Sequence, residues 1–207
     1  MRLNLGCSTD LRGGEWTNVD IAQPTDEQLR QASGHFEQAD LALPWPWEDS
    51  SVEEIYAADI FEHIGDCRHL LLSGCCCQIC NPLMRADVPT VLRAVGFVPK
   101  LRHWSGRIHV MNESWRVLKP GGILRMECPD AAKGAGAFQD PQHVSYWTPN
   151  ALQYYMDGSP AHKRFAAAYG ITARFRVLMC TDRKYFELAG ACNCEVYKFT
   201  AVLEAVK

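Results

Sequence analysis

The 207-residue sequence lacks the features that would assign it to a membrane or fibrous class. The apolar stretch 70–79 is too short to span a bilayer, and Ser73, Gly74 and Gln78 interrupt it. No signal-peptide pattern is visible, since Arg2 leads directly into a strand-like run. No internal repeat and no low-complexity linker are present. We therefore expect a cytoplasmic globular protein with no membrane association, folded as a single domain over residues 1–207.

A large excess of charge of one sign is also missing. The 24 acidic and 21 basic side chains leave a net charge of -3, which argues against a polybasic nucleic-acid binder as a whole. One region departs from this balance. Residues 67–110 carry six basic side chains against Asp87 alone, a net charge of +5, while the remainder carries -8. This basic segment could contact RNA, although a solvated surface is the more ordinary explanation.

Cysteine, by contrast, is abundant, with ten residues. Because no secretory signal accompanies them, we expect reduced thiols in a cytoplasmic protein. Cys77 and Cys80 have the spacing of a zinc knuckle, and Cys75 lies beside them. No second paired motif appears, so small packing side chains are the default interpretation. We expect no metal, and a structural zinc at Cys75, Cys77 and Cys80 is the alternative.

Strand-like and helix-like runs alternate over the first 130 residues. Strands are predicted at 2–5, 17–21, 34–39, 52–57 and 123–128, with a helix at 109–118 that ends at Lys119-Pro120-Gly121-Gly122. Such alternation predicts an α/β fold with a Rossmann-like, doubly wound, mostly parallel sheet. The runs 173–180 and 195–205 predict an antiparallel C-terminal strand pair. Residues 65–108 interrupt the alternation and are predicted to form a Cys-rich basic insertion.

A glycine turn follows the first predicted strand, at Leu5-Gly6-Cys7, and the second strand ends at Asp20. Glycine lets the backbone approach a ligand closely, and an acid after the next strand can accept hydrogen bonds from a ribose. This layout suits a nucleoside-type cofactor, while an ordinary strand-to-helix turn is the alternative. The turn lacks the pattern G-x-G-x-x-G, which makes a dinucleotide oxidoreductase the weaker interpretation.

Acidic side chains and a histidine follow the later strands. Asp40 and Leu41 precede a Pro-Trp-Pro-Trp run that could bracket an adenine, or form a capped turn with two core tryptophans. Asp59, Glu62 and His63 follow the strand 52–57, at the edge where open α/β sheets bind ligands. His63 could act as a general base near neutral pH, or it could simply pack.

Several of these pieces occur together, and in the same order, in a known family. The chain resembles the class I S-adenosylmethionine-dependent methyltransferases, in particular the small bacterial and phage-type domains. The matching pieces are Leu3-Asn4-Leu5-Gly6-Cys7, Asn18-Val19-Asp20, Asp40 with Leu43-Pro44-Trp45, Glu62-His63-Ile64, and Arg116-Val117-Leu118-Lys119-Pro120-Gly121-Gly122. They span most of residues 1–130. Two departures are Ser8, where the family usually has a second glycine, and a long spacing between His63 and Val117.

The resemblance implies S-adenosylmethionine as the cofactor and assigns roles to these positions. The loop of Leu5, Gly6 and Cys7 would contact its methionine moiety, and Asp20 its ribose. The remaining positions would complete the cofactor site: Asp40 and Leu41 in the adenine region, with Asp59 and Glu62. Residues 138–147 resemble the substrate-side loop of the family.

Methyl transfer needs mainly alignment and exclusion of water, with a base only where the acceptor must lose a proton. In residues 138–147, His143 is the expected base, Asp140 would orient it, and Tyr146 and Trp147 would line the acceptor pocket. His63 is a further catalytic candidate. The alternative for this run is an Asp-Pro turn that leads into a helix cap.

The expected function is therefore methyl transfer from S-adenosylmethionine to an unidentified acceptor, with a small molecule favoured. Two alternatives stay open. One is a nucleic-acid methyltransferase that docks through the basic insertion, and the other is a module that binds S-adenosylmethionine without catalysis.

Overall fold

The computed structural model describes residues 1–32, 34–65, 105–134, 136–188 and 194–207. The strands in these ranges are β1 (Arg2–Leu5), β2 (Trp16–Asp20), β3 (His35–Gln38), β4 (Val52–Ala58), β5 (Leu118–Gly134), β6 (Phe175–Leu188) and β7 (Cys194–Ala205). The helices are α1 (Asp26–Ala32), α2 (Gly106–Val117), α3 (Gly136–Gln139) and α4 (Pro160–Tyr169), with short 3-10 helices at Phe61–His63 and Pro149–Tyr154.

The seven strands form a sheet with the order β3-β2-β1-β4-β5-β7-β6. Strands β1 to β5 pair in parallel, whereas β7 runs antiparallel to both β5 and β6. The predicted Rossmann-like, mostly parallel sheet with an antiparallel C-terminal pair is confirmed. The strand order reverses between β1 and β4, and open α/β sheets bind ligands at such a point, outside the carboxyl ends of the strands. The Cys-rich basic insertion lies almost entirely outside the described residues.

A row of apolar side chains crosses four strands and forms part of the core. Leu3 pairs in register with Ile55, Ile55 with Leu124, and Leu124 with Leu203. Residues paired in register project to the same face of a sheet. All four side chains are at most 1% exposed. Each contributes about 2 kcal/mol of burial free energy, so this row fixes the register of the strands that carry the site.

The helix α2 holds the segment after β3 against the sheet. The Arg116 guanidinium donates hydrogen bonds to the backbone oxygens of Trp45 (3.0 Å) and Trp47 (2.8 Å), and it also pairs with Glu113 and Asp49. The two tryptophans are 4% and 7% exposed, and their rings meet edge to face at 5.7 Å. They therefore pack in the core.

Strand β5 is longer than the predicted strand 123–128. Its first part contains the Pro-Gly-Gly sequence, which the sequence analysis placed just after the end of the predicted helix, before the strand 123–128. The pairing with β4 jumps from Val52↔Leu118 to Glu54↔Ile123, so a bulge accommodates these residues within one strand. None of the helices in the described part of the chain is long and apolar enough to cross a membrane.

Candidate functional site

The turn after β1 packs closely against the residues that follow β4. Gly6 has a φ of 63°, a left-handed conformation that favours glycine. A Cβ atom on Gly6 would lie 2.6 Å from Cγ1 of Ile60, so no side chain fits there. Glycine at this position therefore lets the turn pack directly against Ile60, which follows β4.

The Asp20 carboxylate, at the end of β2, bonds to this turn. Its Oδ2 accepts a hydrogen bond from the Ser8 backbone N–H (2.9 Å), and its Oδ1 accepts one from Ala22 N–H (3.0 Å). Each carboxylate oxygen can accept two hydrogen bonds, so both retain acceptor capacity toward a ligand hydroxyl. This geometry is compatible with the role in ribose binding that the family resemblance implies for Asp20.

A buried pair of asparagines, Asn4 and Asn18, holds the rest of the loop. Asn18 Oδ1 accepts hydrogen bonds from Asn4 Nδ2 (2.9 Å) and from Arg12 N–H (2.8 Å). Its Nδ2 donates to the carbonyl oxygens of Arg12 (2.9 Å) and His35 (3.2 Å). Asn4 and Asn18 are 2% and 1% exposed. Every hydrogen-bonding position of the Asn18 amide is used, and the loop is fixed to β1, β2 and β3.

Ser8 occupies the position where the methyltransferase family that this chain resembles usually has glycine, and its φ is 43°. A non-glycine residue in this region costs about 1 kcal/mol. We expect Ser8→Gly to be at least as stable as the wild type, because relief of this strain offsets the greater unfolded-state entropy. Ser8→Val, which is β-branched, should lose about 1–2 kcal/mol.

Urea denaturation would measure these differences. Ser8→Ala is the matched control, since it keeps the Cβ and the backbone N–H that donates to Asp20, and its stability should stay near that of wild type. Equal stability of the valine and glycine variants would show that this position is not strained.

Asp40 and Leu41 lie where the chain leaves β3. Asp40 Oδ1 accepts a hydrogen bond from Ala42 N–H (2.9 Å), which forms a tight turn. Leu41 is 4% exposed, and its carbonyl oxygen accepts the Trp45 indole N–H (3.1 Å). The side chain of Asp40 is only partly buried, so its second oxygen remains a candidate acceptor at this end of the sheet.

Asp59, directly after β4, forms an ion pair. Lys198 on β7 donates a hydrogen bond from Nζ to Asp59 Oδ2. Asp59 also has a φ of 51°, and its N–H donates to the Glu127 carbonyl oxygen (3.0 Å). The lysine offsets part of the negative charge of this carboxylate.

Glu62, in the 3-10 helix Phe61–His63, is a buried acid at this edge. It is 2% exposed, and neither carboxyl oxygen has a hydrogen-bond partner among the described residues. The Cys128 thiol, itself fully buried, lies close enough to interact with it. Burial is the main cause that raises the pKa of the Glu62 carboxyl to about 7, and the charge of Asp59 adds to this effect.

The same 3-10 helix is bonded to the loop after α3. Glu62 carbonyl oxygen accepts hydrogen bonds from Val144 N–H (2.9 Å) and Ser145 N–H (3.0 Å). The Ser145 hydroxyl donates to the Phe61 carbonyl oxygen (3.1 Å). These bonds bring the loop residues 138–147 to the residues that follow β4.

The two catalytic candidates, His63 and His143, meet in this arrangement. Their rings contact edge to face, with centroids 4.8 Å apart. His143 Nδ1 lies 2.9 Å from the Ala137 carbonyl oxygen, and that carbonyl can only accept, so Nδ1 carries the proton and Nε2 is free. Asp140 Oδ2 is 4.0 Å from His143 Nε2, beyond hydrogen-bond distance. In the described structure the Ala137 carbonyl, rather than Asp140, orients the ring.

The two predicted pocket residues lie on different sides of the loop. Tyr146 is 45% exposed, and its ring packs on that of Phe138 with centroids 4.7 Å apart. Trp147 is buried, packs against Phe61 and Tyr155, and lines a cavity of about 270 Å³ on the side of α2 and α4. Tyr146 therefore lies at the exposed surface of the loop that carries His143, and Trp147 packs in the core.

Burial of Glu62 predicts a pH-dependent stability. The pKa of Glu62 in the folded protein is about 7, above the ordinary value of 4.5. The stability that the protonated carboxyl contributes to the fold is therefore complete below pH 4.5 and is lost as pH rises through 7. Relative to wild type, Glu62→Gln should gain up to about 3 kcal/mol between pH 5 and pH 8. Urea denaturation with a chelator present would measure this, and a pH-independent difference between the two proteins would contradict it.

Several residues that hold the site were not identified from sequence. Asn4 and Asn18 carry a usable signal, because an amide within an apolar strand must find hydrogen-bond partners when buried. Lys198 carries none, since it is 139 residues from Asp59 and pairs with it only through the sheet. The proposed zinc ligands Cys75, Cys77 and Cys80 lie outside the described residues. The described cysteines Cys7, Cys128 and Cys180 are free thiols.

Comparison with known proteins gives a fold but no close relative. No protein-family model matches the chain, and a search of curated proteins found no match. Solved structures do match. One is a chain from the complex between the Haloferax volcanii Trm112 methyltransferase activator and a protein assigned as a methyltransferase. It has a TM-score of 0.53 at 13% identity, and the match covers 100% of this chain and 82% of that one.

Two further structures match over nearly the whole chain. The Burkholderia thailandensis 1,6-didemethyltoxoflavin-N1-methyltransferase, solved with 1,6-didemethyltoxoflavin and S-adenosylhomocysteine, has a TM-score of 0.50 at 8% identity, covering 100% of this chain and 71% of that one. The [4+2]-cyclase SpnF has a TM-score of 0.50 at 12% identity, covering 99% and 75%. This chain therefore has the Rossmann-like fold of the class I S-adenosylmethionine-dependent methyltransferases. At such identities the likeness concerns the fold alone.

Proposed function

We propose that this protein binds S-adenosylmethionine at the carboxyl edge of β1, β2 and β4 and transfers its methyl group to a small-molecule acceptor. The observation that carries the proposal is the Asp20 carboxylate, fixed beside the glycine turn at the point where the strand order reverses. The fold shared with a structure that binds S-adenosylhomocysteine supports it.

The cofactor-binding roles follow from the positions of the residues. The backbone of Leu5, Gly6 and Cys7 would contact the methionine moiety, because this turn lies at the carboxyl end of β1, beside β4. Asp20 would accept hydrogen bonds from the ribose hydroxyls. Asp40 and Leu41 would lie in the adenine region, where Asp40 would contact the base through its second carboxylate oxygen and the buried Leu41 would support the segment from the core.

On the other side of the site, His143 would take a proton from the acceptor. S-adenosylmethionine supplies a methyl group on a positively charged sulfur, which is an activated leaving group. The chain's own task is then to align the acceptor, exclude water and accept a proton where necessary. His143 Nε2 is unprotonated in the neutral ring and points away from the Ala137 carbonyl, so it is the atom that would receive this proton.

The rim of the site favours a small acceptor with an apolar or aromatic body. Phe138, Val144 and Tyr146 are 60%, 50% and 45% exposed, and the two aromatic rings pack together on the segment that carries His143. Exposed aromatic groups at the mouth of a site are typical of binding surfaces for small apolar ligands. A nucleic acid that docks through the basic residues of 67–110 remains the alternative acceptor.

A second candidate function is binding of S-adenosylmethionine without methyl transfer. The [4+2]-cyclase SpnF has this fold, so the fold alone does not require methyl transfer. The two functions differ in whether label from the methyl group of S-adenosylmethionine appears in another molecule.

Calorimetry with S-adenosylmethionine, S-adenosylhomocysteine and NAD tests the proposal. We expect the first two to bind and NAD not to bind, and absence of S-adenosylmethionine binding would refute it. Incubation of cell extract with methyl-labelled cofactor then identifies the acceptor class. Label in a small-molecule fraction, unchanged by nuclease, is the expected result. Label that nuclease releases would favour a nucleic-acid acceptor, and no transfer despite binding would favour the non-catalytic function.

A further inference from the structure

Three side chains of metal-ligand type converge beside the proposed methyl-transfer site. Glu62, His63 and His143 each bring one ligand atom to within 4.8 Å of the others. A set of two histidines and one carboxylate binds divalent transition metals such as zinc and leaves a coordination position open. The three residues come from two segments that are distant in sequence, so only the fold brings them together.

Glu62 provides a second and independent observation. Its side chain is 2% exposed, and apart from the Cys128 thiol neither carboxyl oxygen has a hydrogen-bond partner among the described residues. A thiol is a weak donor, and a buried carboxylate costs several kcal/mol unless a cation or a stronger donor satisfies it. The carboxyl group is directed toward the two imidazoles, since one of its oxygens belongs to the cluster. A metal ion between the three residues would satisfy it.

His143 has the tautomer that metal coordination requires. Its Nδ1–H donates to the Ala137 carbonyl oxygen (2.9 Å), which leaves Nε2 as the ligand atom. Histidines that bind metals nearly always donate their other ring N–H to a carbonyl or carboxylate in this way. Asp140 Oδ2, 4.0 Å from Nε2, stands at the exposed rim of the cluster and could approach a bound ion.

The backbone fixes the two segments against each other before any ion binds. Val144 and Ser145 N–H groups donate to the Glu62 carbonyl oxygen, and the Ser145 hydroxyl donates to that of Phe61. Ligand atoms about 2.1 Å from one ion lie about 3.5 Å apart, so the side chains must contract by about 1 Å. Rotation about side-chain bonds supplies such a shift without moving the backbone.

We propose that Glu62, His63 and His143 form a binding site for a divalent first-row transition metal ion of the zinc type. The binding itself stands on the cluster alone, but its role rests on the proposed function. An open coordination position beside the exposed rim would bind an oxygen or nitrogen atom of the methyl acceptor. Coordination occupies Nε2 of His143, so in the metal-bound protein this histidine is a ligand and not a base.

The test uses Co²⁺ as the spectroscopic probe with untagged, chelator-stripped full-length protein and no S-adenosylmethionine. We expect one equivalent to bind with visible bands and no thiolate-to-cobalt band. Glu62→Gln and His143→Gln should each weaken the affinity about 100-fold or more, because a direct ligand contributes more than the 10- to 100-fold effect of an outer-shell partner. His35→Gln, an exposed histidine on β3, is the matched control and should bind as wild type does.

Three results would overturn the site. The first is that the wild type binds no Co²⁺, and the second is that the Glu62 and His143 variants bind it as tightly as the wild type. The third is a thiolate-to-cobalt band that disappears in the triple variant Cys75→Ser/Cys77→Ser/Cys80→Ser. Circular dichroism on each variant excludes unfolding as the cause of lost binding, and His63→Gln serves as a further ligand variant. Calorimetry with S-adenosylmethionine on the chelator-stripped protein tests cofactor binding separately. Failure of the metal site and failure of the proposed function can therefore be distinguished.

Discussion

Asp20→Ala is expected to weaken binding of S-adenosylmethionine by about 100-fold or more. Two ribose hydroxyls donating to one carboxylate contribute about 1.5 kcal/mol or more each, and about 1.4 kcal/mol corresponds to a factor of ten. The same substitution removes the acceptors for Ser8 and Ala22 N–H, so the glycine turn also loses its connection to β2. Calorimetric titration would measure the change in dissociation constant.

Asp26→Ala is the matched control, because Asp26 is an exposed acid in the first turn of α1. Its dissociation constant should equal that of wild type. Asp20→Asn separates charge from geometry. It keeps one oxygen acceptor and a similar shape, so it should bind more tightly than the alanine variant but less tightly than wild type. An unchanged affinity in Asp20→Ala would show that the ribose does not bind at the end of β2.

Asn18→Ala is expected to lower the free energy of unfolding by about 3 kcal/mol or more. The substitution deprives Asn4 Nδ2 and Arg12 N–H of an acceptor, and it deprives the carbonyl oxygens of Arg12 and His35 of a donor. Each buried polar group left without a partner costs about 1–3 kcal/mol, and entry of water to part of the loop recovers some of this. Urea denaturation would measure the loss.

The loop that Asn18 holds also carries the glycine turn, so affinity for S-adenosylmethionine should fall along with stability. Asn150→Ala, at an exposed position, is the control and should change stability by about 0.5 kcal/mol or less. A small loss of stability in Asn18→Ala would mean that the loop is held by other contacts. A large loss of stability with full affinity would separate the loop from the binding site.

The sequence predicted the parallel half of the sheet closely. Strand β1 was predicted with its observed bounds; β2 and β3 differ from prediction by one residue at each end, and β4 by one residue at its C-terminal end. In β1 and β4 buried apolar side chains are bounded by polar or glycine-containing turns, so local pattern and final structure agree. The positions of Gly6, Asp20 and Asp59 at one edge follow directly from that parallel arrangement.

Prediction was less successful in the C-terminal half. Strand β7 differs from prediction by one residue, but β6 continues to Leu188, eight residues beyond its predicted end. The added residues pair with β7, and such pairing depends on the partner strand more than on local propensity. The helices α3 and α4 and the 3-10 helix Pro149–Tyr154 had no strong apolar periodicity to reveal them. The Glu62–His63–His143 cluster is likewise a product of tertiary contacts, since 79 residues lie between His63 and His143 in the sequence.

The hydrogen bonds between Phe61–Glu62 and Val144–Ser145 have a consequence for protein engineering. Residues 138–147 do not form an exchangeable module, because three of the polar groups that shape them are satisfied by the segment after β4. A transplant of this loop alone into another methyltransferase-fold scaffold would leave those groups unpaired. Acceptor preference should therefore transfer only when both segments are moved together, and laboratory evolution of new preferences should select paired substitutions in them.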